Sequence, residues 1–168
     1  VALAPGDTAE FAVVIRNASD VPEQYSIEVQ GIPASWIRLS TADVSLSPGD
    51  KESVLVNINP PASTATEAGS FSVSVKIASR RDPTLSTSTS FQLDLSSASE
   101  WDLDLLPKQA KGYREPFHVL IVNKGNATET YKLQATDPDG LYDYRFSSDS
   151  LAVEPGANSK VTLSITPK

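Results

Sequence analysis

The feature that most constrains this chain is that it spells one phrase twice. VVIRNASDVPEQYSIEV, beginning at Val13, is answered by VLIVNKGNATETYKLQA, beginning at Val119, so that Tyr25 and Tyr131 stand 106 positions apart. The match extends in both directions. FAVVIRN from Phe11 pairs with FHVLIVN from Phe117, VSLSPGD from Val44 with LAVEPGA from Leu151, and SVLVNINP from Ser53 with KVTLSITP from Lys160. The offset is 106 up to Tyr131 and 107 from Leu151 onward, which places one inserted residue between them, most simply in the DPDGLYD stretch from Asp137. Loops absorb insertions cheaply, because closure entropy grows slowly with length. A phrase repeated at this period means one structural unit used twice.

The phrase has the periodicity of strands. Phe11, Val13 and Ile15 alternate with Ala12, Val14 and Arg16, and Tyr25, Ile27 and Val29 alternate with Ser26, Glu28 and Gln30. The same period of two runs through Val54–Ile58, Phe71–Ile77 and Phe91–Leu95. Such segments put one face on a core and the other in water. Turn signals separate them: Pro5-Gly6, Asn17 to Pro22, Gly31 to Pro33, Pro48-Gly49, Pro60-Pro61 and Asp82-Pro83. Short alternating strands with punctuation of this kind, and no amphipathic helical window, predict an all-β sandwich. In the first copy strands are expected near Val1–Ala4, Phe11–Arg16, Tyr25–Gln30, Trp36–Leu39, Val44–Leu46, Ser53–Asn59, Phe71–Ser79 and Ser90–Leu95. Ser96–Glu100 reads as a linker, and Trp101, Leu103 and Leu105 open the second copy. The expected domains are therefore 1–97 and 98–168. The two copies should superpose strand for strand up to Pro60 and Pro167, with Val13, Ile15, Ile27, Val56, Val73 and Val75 in the first core.

Composition removes several functions. The net charge of −7 lacks the basic stripe that phosphate backbones and anionic membranes require. Apolar residues make up 39%, with no run long enough to span a bilayer, so neither nucleic acid nor direct membrane insertion is expected. Cysteine is absent, which excludes disulfides, zinc–thiolate centres and thiol nucleophiles.

With these residues in view, PGDTAEFAVVIRNASDVPEQYSIEVQGIPASW, VSLSPGDKESVLVNINPP and AGSFSVSVKI resemble bacterial tandem Ig-like domains. The class is that of the cell-adhesion-related domain and of the Ig-like modules attached to alpha-galactosidases. The resemblance implies two tandem Ig-like β-sandwiches and a non-catalytic spacer or protein-interaction role in a larger bacterial protein. Its alternatives are a carbohydrate- or protein-binding adhesion module and an accessory part of an enzyme whose catalytic domain lies elsewhere. Partners would be proteins or neighbouring domains, with carbohydrate as a further option, and a cell-surface or extracellular location is favoured over the cytoplasm.

Few residues offer chemistry. No catalytic residue or cofactor site is expected. His118, the one histidine, lies between Phe117 and Val119 and is expected to face solvent, a poor start for a triad. No nucleophile elbow, phosphate loop or dinucleotide fingerprint is present. Asp137, Asp139 and Asp143 in DPDGLYD are the metal candidates, because calcium takes several oxygens from a short loop. The stretch is otherwise a polar turn, since the residue an EF-hand would fill with Glu is Ser148. Trp36 could stack a sugar ring, although a core role for it, Tyr25, Tyr131 and Tyr144 fits better. Asn17 and Asn126 open glycosylation sequons that read as coincidence. Asn17 and Asn123 are expected to bond their own downstream backbone in turns.

The two copies differ in one respect. After NINPP the first continues with SFSVSVKIAS and STSFQLDLSS, whereas the second has no such segments before Lys168. The second sandwich is therefore expected to lack its last two strands, which either continue the native chain or come from another polypeptide. Its open groove should expose some of Phe117, Val119, Ile121, Leu133, Val161, Leu163 and Ile165.

Overall fold

A computed structural model of the chain describes residues 1–109 and 116–168. The chain is all-β and divides into two compact units. Val1–Ala62 with Ala68–Ser96 form the first, and Ser63–Glu67 with Ser97–Lys168 form the second.

The first unit holds β1 (Ala2–Leu3), β2 (Ala9–Arg16), β3 (Glu23–Gln30), β4 (Ile37–Leu39), β5 (Asp43–Leu46), β6 (Lys51–Ile58), β7 (Gly69–Ser79) and β8 (Ser86–Leu95). One sheet has the order β1-β8-β7-β3-β5 and the other the order β2-β6-β4. The alternating apolar residues meet between them. Val54, Val56, Ile58, Val73 and Leu93 are fully buried, with Ile15, Ile27, Val44, Leu46 and Val75 beside them. Phe11 of β2 packs edge-on against Phe91 of β8. Each such aliphatic side chain contributes about 1.5–3 kcal/mol by leaving water. Val13 is half-buried rather than buried, with the remaining expected core residues as read from the alternation.

The second unit holds β9 (Trp101–Leu106), β10 (Phe117–Asn123), β11 (Glu129–Lys132), β12 (Tyr142–Phe146), β13 (Ser150–Val153) and β14 (Asn158–Pro167). One sheet has the order β12-β14-β10-β9, and β11 pairs with β13 in the other. The repeat is preserved at the level of register. Phe11 faces Val56 and Phe117 faces Leu163; Tyr25 faces Val44 and Tyr131 faces Leu151; Leu39 faces Val56 and Phe146 faces Leu163. Pro48-Gly49 and Pro155-Gly156 form the same turn, with φ of +79° and +71° at the two glycines, a region that L side chains avoid.

Strand pairing departs from the expected superposition at the first strand. β1 lies parallel to β8, whereas β9 lies antiparallel to β10. The two strands do not hold equivalent places in the repeat: at the offset of 106, Ala2 and Leu3 match Lys108 and Gln109, beyond the end of β9, and Trp101–Leu106 match no residue of the first unit. The expected linker is also partly fixed, because Ala98 O and Glu100 O accept hydrogen bonds from Asn126 N and Lys124 N and so prolong the β9–β10 ladder.

The expected open groove is corrected as well. Val119, Ile121, Val161 and Leu163 are buried, and Phe117, Leu133 and Ile165 are half-buried. Leu105, Tyr131, Ala135, Tyr144, Phe146 and Leu151 close over them. The second core is therefore sealed with fewer strands, and the uncovered apolar surface lies elsewhere.

Candidate interaction surface

The uncovered surface follows from how β9 pairs. Leu105, Leu103 and Trp101 stand opposite Val119, Ile121 and Asn123 of β10. Residues directly opposite in a ladder share a face of the sheet. Val119 and Ile121 face the core, so Leu105, Leu103 and Trp101 project to the same side. Leu105 is half-buried, but Leu103 is 53% and Trp101 51% exposed. In the first unit the layer over that side includes β7 and β8, whose Val73, Val75, Leu93 and Leu95 are buried. On the other side of β9, Asp102 pairs with Lys124 and Asp104 with Lys108, and the strand ends there on the exposed Leu106. β9 is thus amphipathic in the sense of a core strand, with part of its apolar side in water.

Beside this strip runs an unpaired backbone edge. β3 pairs with β5 on one side and with β7 on the other, whereas β11 pairs only with β13 among the described residues. The consequence is visible in strand length. β3 spans Glu23–Gln30, its latter half held by β7; β11 stops at Lys132, where pairing with β13 stops. Leu133 N still donates to Asp149 O, as Ile27 N does to Ala42 O. Trp101 meets Tyr131 of this edge ring to ring, with centroids 6.0 Å apart.

The signature asparagines organise both units more deeply than a turn reading anticipates. Both are fully buried. Asn17 Nδ2 donates to Val21 O at 2.8 Å and to Leu46 O at 3.1 Å; Asn123 Nδ2 donates to Ala127 O and Val153 O, each at 2.8 Å. One amide therefore ties the turn after β2 or β10 to the end of β5 or β13. The units differ at Tyr25 and Tyr131. Tyr25 OH donates to Asn17 Oδ1 at 3.0 Å, whereas the Tyr131 hydroxyl lies beside the Glu129 carboxylate. Burial, with the Glu129 carboxylate, pushes the Tyr131 pKa up.

The remaining candidates fall into structural roles. Asp137 accepts hydrogen bonds from the backbone N–H groups of Asp139, Leu141 and Tyr142. Burial opposes its charge, but these backbone bonds and one from Gly140 outweigh it and hold the pKa below the ordinary carboxylate value. Asp143 lies on β12 opposite Thr166, not in the loop. Among the described residues no three acidic or histidine side chains stand together as a metal site. His118 is half-buried rather than solvent-facing, because its ladder neighbours Leu106 and Thr162 flank it. Trp36 is buried and packs edge-on against Phe71, 5.8 Å between centroids, so its ring face is not offered to a sugar. Asn17 and Asn126 are buried, and Asn126 donates to Thr66 O and accepts from Ala98 N, which leaves no room for a glycan.

No family model and no curated protein matches the sequence. Among solved structures, the chain is similar to a protein of unknown function from Porphyromonas gingivalis W83 at 11% identity and TM-score 0.44, over 98% of this chain and 77% of that one. It is similar to the E. coli chaperone DraB at 12% identity and TM-score 0.41, over 96% and 81%. It is also similar to a PapD-like domain of human CEP192 at 16% identity and TM-score 0.35, over 56% and 78%. At these levels the likenesses carry no activity or partner to this chain. The strand order and registers define its β-sandwich character.

Proposed function

We propose that the chain is a pair of non-catalytic Ig-like modules, divided near residue 97, that serves a structural and protein-interaction role in a larger protein or assembly. One observation carries this reading. Trp101 and Leu103 lie exposed on the core-facing side of β9, where the first unit has a covering layer. Exposed apolar side chains grouped on one face mark contact with protein more often than idle surface, and Trp is a preferred anchor of such contacts. The buried Trp36 turns the reading away from carbohydrate. The test is a photoreactive residue placed at Leu103 in the full-length host protein, with the exposed Ala12 of β2 as control. Adducts to polypeptide are expected at position 103 and not at 12. Equal yields at the two positions would refute the reading.

A further inference from the structure

We infer that the first unit holds a carboxylate-bearing ligand against Arg38, on the outer face of the β2-β6-β4 sheet. The inference does not rest on the surface of β9. A cavity of about 470 Å³ opens on that face, and all its lining residues lie between Thr8 and Asn59 of the first unit. Its volume falls within the range of small-ligand sites, roughly 300–1,000 Å³. The strand registers bring its groups together. Arg38 and Glu10 stand opposite Asn57 from either side, as Ile37 and Ala9 stand opposite Ile58. Ile58 is fully buried, so the adjacent row of Glu10, Asn57 and Arg38 projects outward.

One wall of the cavity is held by fixed groups. Asn59 N donates to Trp36 O at 2.8 Å, and Asn59 Nδ2 donates to Asp7 O and Thr8 Oγ1, each at 2.9 Å. Trp36 is itself buried against Phe71. The wall of Thr8, Asn59 and Trp36 is therefore tied to the sheet and the core. A ligand meets a formed site and does not have to order it on binding.

The chemistry of the lining selects the ligand. Among the described residues Arg38 makes no ion pair, the half-buried Asn57 amide makes no hydrogen bond, and no other charged residue lines the cavity. An unpaired guanidinium beside neutral amide donors favours an anion, and its planar fork matches a carboxylate with two parallel bonds. One cation balances the single charge of a carboxylate but not the roughly −1.5 to −2 of a phosphate monoester. Glu10, on the same face two strands away, adds to the cost of a second negative charge. The second unit keeps the arginine without the site. Arg145 stands opposite Ser164 as Arg38 does opposite Asn57, but the place of Trp36 is held by Asp143, exposed on the same face as Arg145. The repeat thus supplies an arginine of equal register with an acid beside it, a control within the same chain.

The test titrates chain 1–168, and the full-length host protein beside it, with succinate, the peptide acetyl-Gly-Glu-Gly-amide, its Gln counterpart and inorganic phosphate. Succinate or the Glu peptide is expected to move the NMR signals of the Asn57 side-chain amide and the Trp36 indole N–H saturably. The Gln peptide and phosphate should bind about tenfold or more weakly than the acid, as loss of a charge-assisted pair implies. Arg38→Gln should weaken binding of the acid by about tenfold or more, and Arg145→Gln should leave it unchanged. Glu10→Gln should strengthen it about twofold by removing a like charge from the face. Binding of succinate without the Glu peptide assigns a free acid, and binding of the Glu peptide without succinate assigns an acidic residue of a polypeptide; either upholds the site. Equal binding of the Gln peptide or of phosphate, a loss in Arg145→Gln as large as in Arg38→Gln, or the absence of a saturable shift overturns the inference. Binding by chain 1–168 and not by the host protein also overturns it, because the host's own chain then fills the cavity. Adducts at position 103 form or fail independently of these shifts, so the two readings stand or fall separately.

Discussion

Replacing Asn17 by Ala tests how the repeated unit is held together. The side chain is fully buried and engages five groups: the carbonyls of Val21 and Leu46, the N–H and hydroxyl of Ser19, and the hydroxyl of Tyr25. Truncation removes all five bonds at once. Val21 O keeps a bond from Ser19 Oγ, but no other side-chain donor reaches Leu46 O among the described residues. A net loss of about 1 kcal/mol for each of three unreplaced bonds gives about 3 kcal/mol. Urea unfolding followed by Trp36 fluorescence in a Trp101→Phe background reads the first unit alone. With a slope of about 1–2 kcal/mol/M, 3 kcal/mol moves the midpoint down by about 1.5–3 M. Asn17→Asp keeps the acceptor but aims a second oxygen at two carbonyls. That environment raises the folded pKa of the new carboxyl, so the variant should be steadier at low pH and lose stability as pH rises through that pKa. A midpoint shift below about 0.5 M for Asn17→Ala would refute the assignment of this side chain as the clasp between turn and strand.

Ile121→Ala, in the sealed second core, should cost about 2–5 kcal/mol by chemical denaturation, whereas Leu103→Ala, half in water, should cost less than about 1 kcal/mol. Gly49→Ala meets no neighbouring atom yet must adopt φ of +79°, so a loss of about 1 kcal/mol or more is expected from backbone conformation alone. Asp137 has a lowered pKa, so its hold on the Leu141 and Tyr142 amides persists above the ordinary value of 3.8 and is released as pH falls through its lower folded value. Amide chemical shifts of those residues should report the release, and Asp137→Asn should abolish the titration.

The fold was legible because its information is periodic and local. Alternation located β2, β3, β6 and β7, the Pro-Gly pairs located the turns, and the single inserted residue was visible as a change of offset. Three features were not legible, each for a physical reason. β8 begins at Ser86, where Ser and Thr occupy both faces and only the backbone ladder to β7 defines a strand. β12 was hidden in a segment rich in turn residues, although Tyr142, Tyr144 and Phe146 alternate and β14 gives them an edge. The uncovered surface was placed on β10 and β14 because alternation tells which side a residue faces, not what lies over it. The alternation at Trp101, Leu103 and Leu105 marks a strand, and only its pairing with β10 shows that Trp101 and Leu103 lie on the core-facing side and are not fully covered.

The parallel pairing of β1 with β8 has a mechanical consequence. Ala2 faces Asp94 and Leu3 faces Leu95, with Asp94 N bonded to Val1 O at 2.7 Å and Ser96 N to Leu3 O at 2.9 Å. Tension applied to the chain before β1 and after β8 pulls these strands in opposite directions along their length. The bonds lie across that direction and share the load in shear, rather than opening one after another as a hairpin peeled from its end would. A unit clasped in this way resists stretching until the whole contact slips, and then yields abruptly. Extension of single molecules should therefore show a sharp force peak for the first unit, and Leu3→Pro, which disrupts the clasp and removes a side chain packed against Val56, Ile58, Val73 and Leu93, should lower it.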